Sequence, residues 1–213
     1  MSGLSKRWDN KDEQPISAKI KEAVHPPGAL KPRLDSAVRR IEVQVQKLDQ
    51  TTNRFGDRDK SIFSRVVDSY EKHDMTRAHI FANELAEIRK MEEMILNARL
   101  ALEQIVLRLK TVTELGDVAV TLAPVIGVVQ NIKRGMASIS PEAEKELTSI
   151  SDLLSGIVWD AGSITGSTIN FDTVNEGSQS ILSEAAAVAE QRMKTKFPEL
   201  PSIEEKVGEK LNP

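Results

Sequence analysis

Cysteine is absent from these 213 residues. That excludes disulfides and thiolate metal sites and makes a reducing cytoplasm the natural home. Aromatic residues are scarce, 4% against 29% charged, so a core has to rest on Leu, Ile, Val, Ala and Met, which suits helix-on-helix packing. Long hydrophobic runs are missing too. The most apolar window, Val118 to Val129, is twelve residues long and holds Pro124 and Gly127, short of the roughly 20 residues that cross a bilayer. Met1 to Trp8 has no apolar run of the kind a signal peptide carries, so a soluble protein is expected. The three histidines, His25, His73 and His79, lie apart, and the six-residue spacing of the last two does not put them on adjacent turns of one helix face. Glu84/Glu87 and Glu92-Glu93 are carboxylate pairs on a long charged stretch, where solvated faces are the default. Gly162-Ser163-Ile164-Thr165-Gly166 lacks the lysine and the strand-to-helix context of a phosphate loop. No catalytic, metal-binding or cofactor-binding residue is expected, and nothing points to an enzyme.

What the chain does have is helical periodicity. Apolar residues fall at Leu30, Leu34, Val38, Ile41, Val45 and Leu48, then at Ile62, Val66 and Tyr70, then at Ile88, Met91, Ile95, Ala98, Leu102, Ile105, Leu109 and Val112. Steps of three and four make one stripe of an α-helix, and a pattern this long points to a hairpin of long helices. The spacing predicts a first helix from near Lys31 to about Arg54, with Pro32 tolerated in its first turn. The polar stretch Phe55 to Ser61 is predicted to break the pattern. A second helix then runs from a Ser61 cap to about Leu115, kinked near His73 to Thr76. Because that helix is the longer one, Leu100, Ile105 and Leu109 are expected to stay exposed unless something covers them.

The predicted fold class is all-α, a long helical hairpin plus shorter C-terminal helices and a flexible proline-containing tail. Residues 1–29, with Pro15 and Pro26-Pro27-Gly28, read as a basic arm, and 30–160 as the helical core. Within the core a helix is expected over Val118 to Ile139. Another begins at Ser140-Pro141-Glu142, a cap, a first-turn proline and an acid in sequence, and ends near Trp159. Gly, Ser, Thr and Asn over 161–177 suggest a flexible linker, 178–195 a small Ala-rich helix, and 196–213 a tail.

The net charge of −3 hides a polarity. Residues 1–40 hold nine Lys/Arg against five Asp/Glu, residues 41–139 fourteen of each, and residues 140–213 six against thirteen. Such asymmetry calls for an anionic partner at one end or a basic partner at the other, and the chain's own ends are one such pair. Three surfaces carry functional expectations. The apolar stripe at Leu102, Ile105 and Leu109 is an expected self-assembly face. Lys31, Arg33, Arg39 and Arg40, with Trp8 at the interface, are expected to bind an anionic membrane. Nucleic acid is disfavoured by the acidic balance and by the lack of aromatics among the charges. In the tail, Phe197, Leu200 and Ile203 alternate with Pro198 and Pro201, which pre-order an extended segment for docking.

Together these features resemble the ESCRT-III superfamily, and most closely its archaeal cell-division members of the CdvB group. The carrying residues are the basic entry (Lys31, Arg33, Arg39, Arg40), the Phe55-to-Ser61 turn, the run from Tyr70-Glu71-Lys72 through Ala98-Arg99-Leu100-Ala101-Leu102, and the acidic C-terminal third. Phe197-Pro198-Glu199-Leu200-Pro201-Ser202-Ile203 resembles the proline-containing MIT-interacting motif, without the further proline often found downstream. The resemblance implies subunits that polymerise, with themselves and with paralogues, into filaments at the membrane neck. It also implies that the MIT domain of an AAA+ ATPase grips the tail to remodel them, in cytokinesis and vesicle budding. The expected location is cytoplasmic, peripheral at the inner face of the cell membrane, at the mid-cell division site. The longest division paralogue carries a winged-helix domain with no counterpart here, so a shorter paralogue is expected. Two alternatives remain, a phage-shock-like membrane-protecting coat and a cytoplasmic coiled-coil adaptor without membrane activity.

Overall fold

The computed structural model describes residues 30–112, 115–165 and 171–197. Every regular element among them is a helix: α1 Leu30–Glu71, α2 Met75–Lys110, α3 Leu115–Met136, α4 Pro141–Thr165 and α5 Phe171–Lys196. The all-α hairpin architecture expected from the apolar spacing is present, but its turn lies elsewhere. α1 runs unbroken through Phe55 to Ser61 and ends at Glu71. The reversal takes place at Lys72-His73-Asp74, where only a kink was expected.

Cross-hairpin partners explain why the polar stretch does not break the helix. Arg58 Nη2 donates to Glu84 Oε1 at 2.9 Å, and Asp59, almost fully buried, accepts from Arg89 Nε at 2.8 Å. Gly56 is helical and buried. At the true turn the backbone forms a Schellman motif: the Asp74 N–H donates to the Ser69 carbonyl at 3.0 Å and the His73 N–H to the Tyr70 carbonyl at 3.0 Å. His73 takes the left-handed conformation, φ 56°, that glycine ordinarily supplies. Asp74 then caps α2, its side chain accepting from the Arg77 N–H at 3.1 Å. With 42 and 36 residues the two arms are nearly matched, so the second does not outrun the first as expected.

The antiparallel register is pinned along its length by Glu42–Lys110, Asp49–Arg99 and Asp59–Arg89. α3 and α4 form a second, shorter hairpin. Its α4 start is the one read from the sequence, with Ser140 Oγ accepting from the Ala143 N–H and two glutamates in the first turn. α4 packs on α1 and α3, and α5 on α2 and α3. A Cβ on Gly127 would lie 2.6 Å from Ser178 Oγ, so glycine lets α3 and α5 cross closely there. The main core joins all five helices, with Leu34, Ile41 and Leu48 of α1, Ile95, Leu102 and Ile105 of α2, Leu122 and Val129 of α3, Leu147, Ile150 and Leu154 of α4, and Ile181 and Ala185 of α5. A separate small cluster, Ile62, Leu85 and Ile88, belongs to the far end of the α1–α2 hairpin alone.

Three outer boundaries also differ from the expectation. α3 closes at Met136 instead of Ile139, α4 continues past Trp159 to Thr165, and α5 begins at Phe171. The stretch expected as a linker over 161–177 is thus helical at both ends, and its middle, 166–170, lies outside the described residues. The arm 1–29 and the tail beyond Phe197 lie outside them too.

Candidate functional site

α1 is basic along one stripe. Arg33, Arg40 and Lys47 stand seven residues apart, nearly two full helical turns, so they line up on one face over about 21 Å. α4 runs antiparallel beneath them and meets each with an acid. Arg33 pairs with Asp160. Arg40 donates from Nε to Glu146 Oε1 at 3.0 Å and from Nη2 to Ser149 Oγ at 2.8 Å. Lys47 Nζ donates to Glu142 Oε1 at 2.8 Å. At the first rung Gly156 makes room, since a Cβ there would stand 2.9 Å from Arg33 Nη2. The last rung lies in solvent. Its hydrogen bond and charge hold the Glu142 carboxyl below, and the Lys47 ammonium above, their ordinary values.

This ladder engages two of the four cations in the expected membrane-binding set. Arg33 and Arg40 are half-buried and paired with α4, while Lys31 and Arg39 on the same helix are exposed. Trp8 lies outside the described residues. Lys47, which sequence reasoning did not single out, extends the stripe; its spacing from Arg33 and Arg40 was the available signal.

The expected self-assembly residues are brought together, but inward. Leu102, Ile105 and Leu109 are buried in the main core, and Leu100 with them. α1 runs alongside this part of α2, and α3 and α5 pack on α2 as well. In this conformation the stripe is intramolecular. An exposed apolar surface lies at the far end of the hairpin, where Phe63, Val67 and Tyr70 follow one another at steps of four and three, with Met75 and Ile80 across the turn. Sequence reasoning missed it because the turn was placed elsewhere, which made this segment the interior of a helix.

Of the docking residues, Pro198, Leu200, Pro201 and Ile203 lie outside the described residues. Phe197 does not. Its N–H donates to the Met193 carbonyl at 2.9 Å, and its ring centroid lies 4.8 Å from the Arg89 guanidinium carbon. Beside it Lys196 Nζ pairs with Glu92 on α2. The end of α5 is therefore fastened to the hairpin.

Among the described residues no group of acids and histidines is arranged to hold a metal ion, and no helix is long and apolar enough to cross a membrane. The site is a set of charged contacts between helices that pack without covalent ties. Such contacts can close or open a surface.

The sequence is 42% identical over 199 residues to Cell division protein B1 of Sulfolobus acidocaldarius, covering 93% of this chain and 92% of that protein. It is 34% identical over 162 residues to Cell division protein B of the same organism, covering 76% of this chain and 62% of that protein. No protein-family model and no solved structure matches the chain.

Proposed function

Because the chain belongs to the CdvB-type cell-division proteins of the ESCRT-III superfamily, and with them has a role in cell division, we propose that it is a membrane-remodelling polymer subunit. In this reading subunits assemble, with copies of themselves and with paralogues, on the anionic inner face of the cell membrane at the division site. An AAA+ ATPase then remodels the filaments through its MIT domain, gripping Phe197, Pro198, Leu200, Pro201 and Ile203.

The observation that carries this reading is the α1–α4 ladder. Closing α4 on α1 occupies Arg33, Arg40 and Lys47 with the chain's own acids. Leu102, Ile105 and Leu109 lie in the core on α2, which packs with α1, α3 and α5. Closing α4 thus hides a basic stripe, and reversing it offers that stripe to an anionic surface; release of α3 and α5 along with α4 would uncover the part of α2 they cover for another subunit. Each juxtamembrane cation is worth about 1 kcal/mol on an anionic leaflet, so freeing three changes peripheral binding by orders of magnitude.

Two variants test the reading by co-sedimentation with anionic and neutral liposomes and by electron microscopy. Glu142→Lys with Glu146→Lys opens the ladder and is expected to raise anionic-liposome binding and filament formation together. Lys31, Arg33, Arg39 and Arg40 all changed to Glu should abolish liposome binding. Equal binding to neutral lipid would overturn the electrostatic account. No liposome binding by any form would leave the coiled-coil adaptor. Deleting 140–213 is the cruder version of the first variant and should also promote polymerisation; a truncated chain that stays monomeric at every salt concentration excludes autoinhibition.

A further inference from the structure

Glu92 sits on α2 with 1% of its surface exposed. A carboxylate so deeply buried is strongly unfavourable unless a cation and hydrogen bonds meet it. Its Oε1 has one partner, Lys196 Nζ, delivered from the last residue of α5; its Oε2 accepts no hydrogen bond among the described residues. The approach is built in. Gly56 of α1 faces this spot, and a Cβ there would stand 3.0 Å from Lys196 Nζ. One turn away on α2, Arg89 is held by the buried Asp59 and presents its guanidinium to the Phe197 ring, 4.8 Å to the centroid, while Lys196 Nζ lies 5.1 Å from the same ring. Asp59, Arg89 and Glu92 thus form a seat at the hairpin seam for a basic residue followed by an aromatic one, and Lys196-Phe197 fills it.

Phe197 is also the first apolar anchor of the segment assigned above to the ATPase. A ring stacked on Arg89 cannot at the same moment fill a pocket in another protein. We propose that the seat masks this anchor, so that the subunit is gripped by the ATPase only when Lys196-Phe197 has left the hairpin. This rests on the docking role given to Phe197 under the proposed function. Linkage then runs in both directions. The seated chain binds the MIT domain more weakly, by the fraction of molecules whose anchor is free. In return, docking draws Lys196 away from Glu92 and leaves a buried carboxylate without its cation, which loosens α5 from α2. The ATPase would begin to open the subunit by the act of binding it.

Calorimetric titration of the MIT domain into three samples tests this: a peptide spanning 194–205, the intact chain, and the intact chain with Glu92→Gln. Glutamine keeps the shape and removes the charge that holds Lys196, and it lies outside the docking segment. The peptide is expected to bind about tenfold more tightly than the intact chain, as when a tenth of the molecules are unseated, and Glu92→Gln should close most of that gap. Equal affinities for peptide and intact chain overturn the masking. A tighter peptide with no effect of Glu92→Gln overturns this seat as its cause. A peptide that does not bind removes the docking role itself, and the masking with it. A second measurement uses the unmodified chain: amide exchange at 193–197 should accelerate when the MIT domain is added, and unchanged exchange in a saturated complex contradicts the coupling.

Discussion

At Gly156 the Arg33 guanidinium occupies the space a side chain would need. Gly156→Ala should favour the isolated helix, because alanine is about 1 kcal/mol better than glycine in a helix interior. In the folded subunit it should displace Arg33 from Asp160. The expected outcome is an unchanged helical content with stronger binding to anionic liposomes; weaker binding would mean that the rung supports the membrane-bound form. The rung at Lys47–Glu142 has a pH signature. Lys47 lowers the Glu142 pKa from its ordinary 4.5, first by the hydrogen bond and then by charge. A carboxylate lowered on folding contributes stability that is complete above 4.5 and is lost as pH falls through the folded value. Lys47, raised from 10.5, contributes fully below that value and loses the contribution as pH rises through the folded one. Closure of α4 on α1 should therefore be flat across neutral pH and loosen only in acid or strong base, as read by amide exchange along α4. A transition near pH 7 would require some other group.

On the scale of whole helices, the hairpin turn decides which residues can meet. Asp74→Ala removes the cap of α2 and should cost about 1 kcal/mol, while His73→Gly relieves a left-handed residue and should stabilise by a comparable amount. Thermal unfolding of the two variants should shift in opposite directions; a shift of the same sign would mean that the turn is not held by the Schellman motif. The same helices limit how the apolar stripe can be probed. Leu102→Asp with Ile105→Asp would place charges in the main core, at several kcal/mol each, and would damage the closed bundle as well as any filament. The exposed Phe63, Val67 and Tyr70 are better targets for separating assembly from folding.

For the whole molecule, two kinds of contact hold the C-terminal helices on the hairpin, and they answer differently to salt. The α1–α4 ladder is half-buried at Arg33 and Arg40 and exposed at Lys47–Glu142, and exposed charges are screened over about 8–10 Å at physiological ionic strength. The Glu92–Lys196 pair and the core beneath are screened far less. Raising salt is expected to release the α4 ladder before α5, a sequence visible as earlier exchange in 141–165 than in 181–196. Simultaneous release would make the C-terminal helices one cooperative unit.

Read alone, the sequence determined the helical class, the long hairpin, the cap at Ser140 and the charge split between the two ends. These follow from local spacing and composition, which act over a few residues. It misled on the turn for a local reason as well: the only glycine between residues 30 and 115 is Gly56, and a turn made with His73 in glycine's place shows no glycine to mark it. The tertiary structure alone decided that Gly56 is a gap for Lys196, that Asp59 and Glu92 are buried beside basic partners, and that Phe197 lies on Arg89. It alone decided that Leu102 and Ile105 are spent inside the subunit. Those outcomes join residues 30 to 140 positions apart, and the periodicity that puts a residue on a helix face does not say which helix will cover it.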